Sequence, residues 1–263
     1  VYVHSYWVRD GVKMSKSLGN FIEIDLLLAY ASRYSLDAVR WYLVTQGPLH
    51  ETDADFSHAK FIEVFNAELA NGIGNCTSRV GNMIEKYFGG VLPDPKGKHT
   101  HEYDSAVHGR GAFRWRETVP ARAKEAVDAL AVFDVSTALH AGVKLVREVD
   151  LYIGVTEPFR IAKRLEAEPH LRDELAAILY NCAEALRVAS ILLSPAMPAK
   201  MRQLWTLWGC APAAGASLAE LAEFGGRHGL KVGQSITKGE ALFMRADGAE
   251  PAPTVASTGS PGV

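Results

Sequence analysis

Residues 57–90 read SHAKFIEVFNAELANGIGNCTSRVGNMIEKYFGG, and this stretch decides the fold. Phe61, Phe65, Leu69, Ile73, Cys76, Val80, Met83 and Tyr87 recur every three or four residues. That spacing lines apolar side chains along one face of an α-helix. Ser57 offers a hydroxyl to cap the first turn, and Gly89-Gly90 lets the chain leave the last one. The spacing predicts a helix of about 30 residues, and its apolar stripe demands partner helices along its length.

The partners are legible downstream. Helical patterns cover 104–132, with a break expected at Pro120, and 134–152. Pro158 opens a further turn, Leu171 to Leu193 forms a long apolar-rich helix stopped by Ser194-Pro195, and Pro198 to Trp208 forms a shorter amphipathic one. Trp205 and Trp208 on that last helix are read as core or interface. The expected fold is therefore mostly α, a bundle of four or five packed helices. Upstream, residues 1–8 alternate and predict a short buried strand. A glycine-flanked loop follows over 9–20, then helical patterns from about Asp25 and from Asp37 to Leu43. Past Pro212 the period fades. Residues 247–263 are only Gly, Ala, Pro, Ser, Thr, Val, Asp and Glu, which predicts a disordered tail or linker.

Composition narrows the functional classes. The 263 residues are 48% hydrophobic and carry a formal net charge of −2. That balance argues against a non-specific nucleic-acid binder, so RNA contact has to come from local patches and stacking. Cys76, Cys182 and Cys210 are scattered, with no CxxC and no histidine at ligand spacing, so no local zinc site is expected and a reducing, cytoplasmic setting is. No apolar run reaches about 18 residues without a charge, so no membrane span is expected. The chain opens on Val1 with a strand already under way, which reads as a piece of a longer protein.

The sharpest chemical signal is Lys13-Met14-Ser15-Lys16-Ser17 between Gly11 and Gly19. Two ammonium groups three positions apart on a mobile loop can close over a triphosphate and meet the negative charge that grows on a leaving pyrophosphate. The serine hydroxyls and backbone N–H groups can add phosphate contacts or hold the loop in shape. A solvated Lys/Ser loop is the plain alternative. An exact five-residue match arises by chance on the order of once in ten thousand chains of this length.

This string is the KMSKS signature of class I aminoacyl-tRNA synthetases. With His4-Ser5-Tyr6-Trp7 before it and Asn20 after it, the stretch resembles that of methionyl-tRNA synthetases, with Ser5 where the family has glycine. The resemblance implies that Lys13 and Lys16 are catalytic, that Lys13, Met14, Ser15, Lys16 and Ser17 bind ATP, with Mg2+ expected, and that Lys16 contacts ATP during adenylate formation. Asp37 to Leu43 resembles the helix after the signature, and Asp53 to Ser57 the acidic turn entering the bundle. Asp37 and Arg40, three apart, are expected to pair with each other on one helix face.

Within the long helix, Asn66 to Asn71 and Gly74 to Arg79 resemble the family's anticodon-binding pattern. The resemblance implies that Asn75 and Arg79, side by side, contact the anticodon of tRNA(Met), together with an aromatic at Phe159, where the family has tryptophan. Arg79 in a surface salt bridge and Phe159 in the core are the competing readings. Asp150 stands where the family has asparagine, and Asn66, Asn71 and Asn82 are read as structural. Lys238 to Phe243 resembles the end of the family's body. The implied layout is the end of a Rossmann-like catalytic domain over 1–56, an anticodon-binding bundle over 57–212, a segment packing on the body over 213–246, and the tail. Implied activity is ATP-dependent ligation of methionine to its tRNA, with the HIGH signature, the methionine pocket and any zinc-bearing insertion upstream, so that these residues alone form no adenylate. Another class I synthetase, for leucine, valine, isoleucine or cysteine, and a non-catalytic tRNA-binding module are the alternatives.

Overall fold

A computed structural model describes residues 3–49, 52–105, 109–249 and 251. The chain begins in a three-stranded sheet. Strand β1 (Trp7–Arg9) pairs antiparallel with β2 (Val12–Lys13) and parallel with β3 (Ala54–Phe56). Asp10 (φ 51°) and Gly11 (φ 74°) make the two-residue turn between β1 and β2, where positive φ matches the twist of the strands. Of the strand expected over 1–8, Val1 and Tyr2 lie outside the described residues; the rest forms a strand only from Trp7, half-buried, and Val3 is exposed. The stretch expected to be an acidic turn supplies β3 instead, with the Asp53 carboxylate accepting from the Tyr6 N–H at 2.9 Å.

Helices α1 (Ile24–Tyr34) and α2 (Leu36–Thr45) follow, separated by Ser35 at φ 95°. Tyr30, Tyr34 and Tyr42 surround the Phe61 ring at 4.8, 5.2 and 5.3 Å, an aromatic cluster that fastens this segment to the bundle. Asp37 and Arg40 do not pair with each other. Asp37, buried, accepts from the Lys200 N–H at 2.6 Å, and Arg40 donates to the Pro195 and Ala196 carbonyls at 2.8 and 3.0 Å. Each satisfies backbone groups left over at the junction of two later helices, a carboxylate at an N-terminus and a cation at a C-terminus, where helix dipoles favour them.

The long helix exists, in three parts: α3 (His58–Val64), a π-helical stretch (Phe65–Gly74) and α4 (Asn75–Phe88). Ser57 caps it through the Lys60 N–H at 3.2 Å, and Gly89 (φ 65°) ends it. The wider turn with its kink at Gly72 breaks the continuous 3.6-residue period, and such bulges frequently mark functional positions.

The helix expected over 104–132 begins only at Trp115. Before it lies a hairpin, β4 (Thr100–Ser105) against β5 (Gly109–Arg114). Its pattern has period two: His101 and Tyr103 meet Phe113 and Gly111 across the strands, and a Cβ on Gly111 would lie 2.7 Å from the Tyr103 hydroxyl. Helix α5 (Trp115–Ala131) passes through Pro120 unbroken, so the expected break is absent.

Helices α6 (Val135–Thr156) and α8 (Leu171–Leu193) form the centre, with the short α7 (Pro158–Arg164) between them. Helix α8 has the length and apolar character of a membrane span but is buried among its neighbours from Leu175 to Leu193. It carries a fully buried ion pair, Glu184 with Arg187. Helix α9 (Pro198–Trp208) holds Trp208 in the core, and the Trp205 indole donates to the Ser190 hydroxyl at 2.7 Å.

The segment after α9, with its single short helix α10 (Leu218–Leu221), returns across the bundle. Ile236 donates to the Gly90 carbonyl at 2.8 Å, and Phe243 meets Phe65 edge-on at 5.9 Å. Asn66 is structural, bridging the Ala246 N–H (2.9 Å) and carbonyl (3.4 Å). The tail expected from 247 is fixed at its start: Asp247 pairs with Arg33 at 2.8 Å, and the Tyr34 hydroxyl donates to the Ala249 carbonyl at 2.8 Å. The rest of that stretch, apart from Pro251, lies outside the described residues.

Candidate functional site

The lysine loop hangs from the β1–β2 hairpin, so its geometry starts with the Asp10-Gly11 turn. Asn20 clamps its base: the side-chain carbonyl accepts from the Ser15 N–H at 2.8 Å, and the side-chain amide donates to the Lys13 carbonyl at 3.1 Å. The Ser15 hydroxyl accepts from the Ser17 N–H at 3.2 Å and caps a single 3-10 turn, Lys16–Leu18, that Gly19 (φ 65°) closes. Ser15 and Ser17 hydroxyls also bond each other at 2.7 Å. Both serines therefore shape the loop. Side chains of Lys13, Lys16 and Ser17 are exposed, and Met14 is half-buried.

Neither lysine has a carboxylate partner among the described residues; Lys13 lies 5.8 Å from the centre of the Tyr6 ring, a weak cation–π contact. Unpaired ammonium groups on a pre-formed turn suit a polyanion, because no internal salt bridge has to break first. Asn20 and Tyr6 stood inside the quoted motif, yet nothing in the spacing marked the one as clamp and the other as stacking surface. No group of three or more His, Cys, Asp or Glu among the described residues could hold a metal ion.

The second cluster lies on the bundle. Asn75 begins α4, exposed, directly after the π-helical stretch. One turn later Arg79, with 38% of its side chain exposed, forms an ion pair with Asp150 of α6. Of the two readings of Arg79, surface salt bridge and base recognition, the structure shows the salt bridge, and no other hydrogen bond from its guanidinium is seen among the described residues. Burial beneath this pair pushes the Cys76 thiol up to about 12, so that group is inert. Nine residues past Asp150, Phe159 sits in the first turn of α7, 40% exposed and outside the core. Buried Pro158 opens α7, and the turn into it passes through Glu157 at φ 45°, a left-handed non-glycine conformation that tertiary packing has to hold. Arg79 and Asp150 are brought together; no contact joins Phe159 to Asn75 or Arg79.

Residues 1–81 match the family model "tRNA synthetases class I (M)". The chain is 35% identical over 247 residues to a methionine–tRNA ligase of Caldanaerobacter subterraneus subsp. tengcongensis, covering 94% of the chain and 35% of that protein. It is 35% identical over 255 residues to that of Streptomyces coelicolor, covering 94% and 43%. Among solved structures, the fold matches Mycobacterium tuberculosis methionyl-tRNA synthetase bound by methionyl-adenylate with a TM-score of 0.72 at 24% identity, over 91% of this chain and 43% of that one. The free form of the same enzyme gives 0.70 at 22% identity. The chain spans less than half the length of these relatives. Along 94% of its length the chain is thus similar in sequence to methionine–tRNA ligases, and its fold resembles that of a methionyl-tRNA synthetase.

Proposed function

We propose that this chain is the phosphate-closing and anticodon-reading part of a methionine–tRNA ligase. The observation that carries the reading is the loop Lys13 to Ser17: an exact signature, shaped by Ser15 and Asn20, whose two ammonium groups have no carboxylate partner among the described residues. In a protein of its relatives' length, the methionine carboxylate would attack the α-phosphorus of ATP and expel pyrophosphate. Lys13 and Lys16 would take up the charge that develops on that leaving group, with Mg2+ sharing the load. Asn75, Arg79 and Phe159 would read and stack the anticodon of tRNA(Met). On this reading residues 1–56 close a catalytic domain and residues 57–212 are the RNA-binding bundle.

The test is Lys16→Ala in the full-length enzyme, followed by ATP–pyrophosphate exchange and by affinity for a CAU anticodon stem-loop. Loss of one charge-stabilising donor cuts adenylate formation by about 100- to 1,000-fold, with stem-loop affinity unchanged. An unchanged exchange rate would sink the catalytic assignment. Indifference of the stem-loop to anticodon changes would point to another class I specificity.

A further inference from the structure

The joint between the loop-bearing segment and the bundle contains a histidine whose two ring nitrogens both face acceptors. His140, on the second turn of α6, points its Nδ1 at the Ser136 carbonyl at 2.8 Å, with the Ser136 hydroxyl at 3.4 Å. Its Nε2 lies 3.4 Å from a carboxylate oxygen of Glu68 in the π-helical stretch. A carbonyl and a carboxylate only accept, so a neutral imidazole would leave one of its nitrogens lone pair against lone pair. The Ser136 hydroxyl could donate to a neutral Nδ1 only by giving up the Thr45 carbonyl, so the doubly protonated ring is the state that serves every acceptor here.

The same carboxylate reaches the lysine-loop segment. Its other oxygen accepts from the indole N–H of Trp41 on α2 at 2.9 Å, and Trp41 is fully buried. The Trp41 and His140 rings lie 5.8 Å apart, and the Ser136 hydroxyl bonds the Thr45 carbonyl at the end of α2 at 3.3 Å. Glu68 thus joins three elements, with 13% of its side chain exposed. The charged groups that face the ring are Glu68 from the π-helical stretch and Arg147 from α6, the latter 3.9 Å from the same carboxylate oxygen; α2 contributes only the indole and the Thr45 carbonyl.

We propose that His140 is a positioning residue, an imidazolium that locks α2 and the lysine-loop segment behind it to the bundle through Glu68. The contact with Glu68 raises the His140 value against an opposing effect of burial, and the Ser136 carbonyl adds to the rise. Burial pushes Glu68 upward, but the His140 and Trp41 donors outweigh it and hold Glu68 below the usual carboxylate value. A raised histidine contributes stability that is complete below about pH 6.5 and is lost as pH rises through the folded-state value. The lock is therefore shut below about pH 6.5 and loosens as pH rises through the raised His140 value. The relevance to catalysis rests on the lysine-loop reading; the lock itself does not.

Two measurements on the whole chain test it. Histidine ring NMR should find both nitrogens of His140 protonated at pH 6 and a midpoint above 6.5; a midpoint at or below 6.5 overturns the proposal. Amide exchange of α2, referenced to α8, should quicken about tenfold between pH 6 and pH 8.5 in the native chain. In His140→Gln it should be fast and independent of pH, and in His140→Lys, which keeps a cation against Glu68, slow at both values. Native-like protection and pH response in His140→Gln overturn the assignment even where the ring titrates as expected. Neither readout involves ATP or RNA, so failure here leaves the adenylate and stem-loop tests standing, and their failure leaves this one intact.

Discussion

Replacing Glu184 by alanine should unfold the C-terminal segment from the bundle before it harms anything else. Glu184 and Arg187 have 0% and 2% side-chain exposure. The carboxylate accepts from the Arg187 Nε and Nη2 at 2.8 Å each, and from the Gly225 and Leu230 N–H groups at 3.1 and 2.9 Å. Arg187 also donates to the Leu221 carbonyl at 2.9 Å. One carboxylate thus satisfies a buried cation and two backbone donors of the returning segment. Removing one partner of a buried pair costs about 3–5 kcal/mol, because the stranded charge has no water to turn to. For a chain of this size that is a fall of about 6–20 °C in Tm. Glu184→Gln should cost less but not nothing, since its amide places N–H groups against donors. Gly229→Ala probes the same spot from outside: a Cβ there would lie 2.7 Å from the Glu184 carboxylate, and it should also destabilise. Calorimetry and urea unfolding read the result. A cost below about 1 kcal/mol for Glu184→Ala, at the level of an exposed pair, would refute the buried-clasp account.

Two further expectations are independent of that one. Phe159→Ala should weaken binding of a CAU stem-loop by about 1–3 kcal/mol through lost stacking while leaving Tm nearly unchanged, because the ring is 40% exposed; equal affinity by fluorescence anisotropy would remove Phe159 from the RNA face. Pro120 interrupts the hydrogen bonding of α5 without ending the helix. Pro120→Ala should therefore raise stability by about 1–2 kcal/mol, the restored N–H outweighing the freer unfolded chain; a lowered urea midpoint would show that the ring's packing matters more.

Much was legible in the sequence because it is written at short range. The apolar steps from Phe61 to Tyr87, the Ser57 cap, the Gly89-Gly90 stop and both ends of the Leu171–Leu193 helix follow from rotation per residue and from single side chains that cap or break. The lysine loop was legible as a string for the same reason. The hairpin over 100–114 was misread because it is short and interrupted, and its alternation of His101, Tyr103 and Phe113 is as compatible with a ragged helix as with two strands. Gly109 and Gly111 weigh against a helix there, and the packing of Phe113 and Trp115 against Tyr152, at 4.8 and 5.1 Å, decides for the strand.

Charged and polar side chains divide the same way. Spacing paired Asp37 with Arg40, a contact worth tenths of a kcal/mol on an exposed face. In the fold each finds unsatisfied backbone at the α8–α9 junction, a stronger claim on a buried charge than a neighbour three residues away. The sequence could offer Arg79 as a candidate reader but not tell that Asp150, 71 positions on, would meet it. It determined where most of the helices run and which loop carries the ammonium groups, because those depend on neighbours within a turn or two. Only the tertiary structure decided that Glu68, Trp41 and His140 share one joint, that Glu184 holds the returning segment, and that Asp247 is pinned by Arg33. Those contacts join residues far apart in the chain, and burial, which sets the cost of leaving a polar group unpaired, exists only once the core has closed.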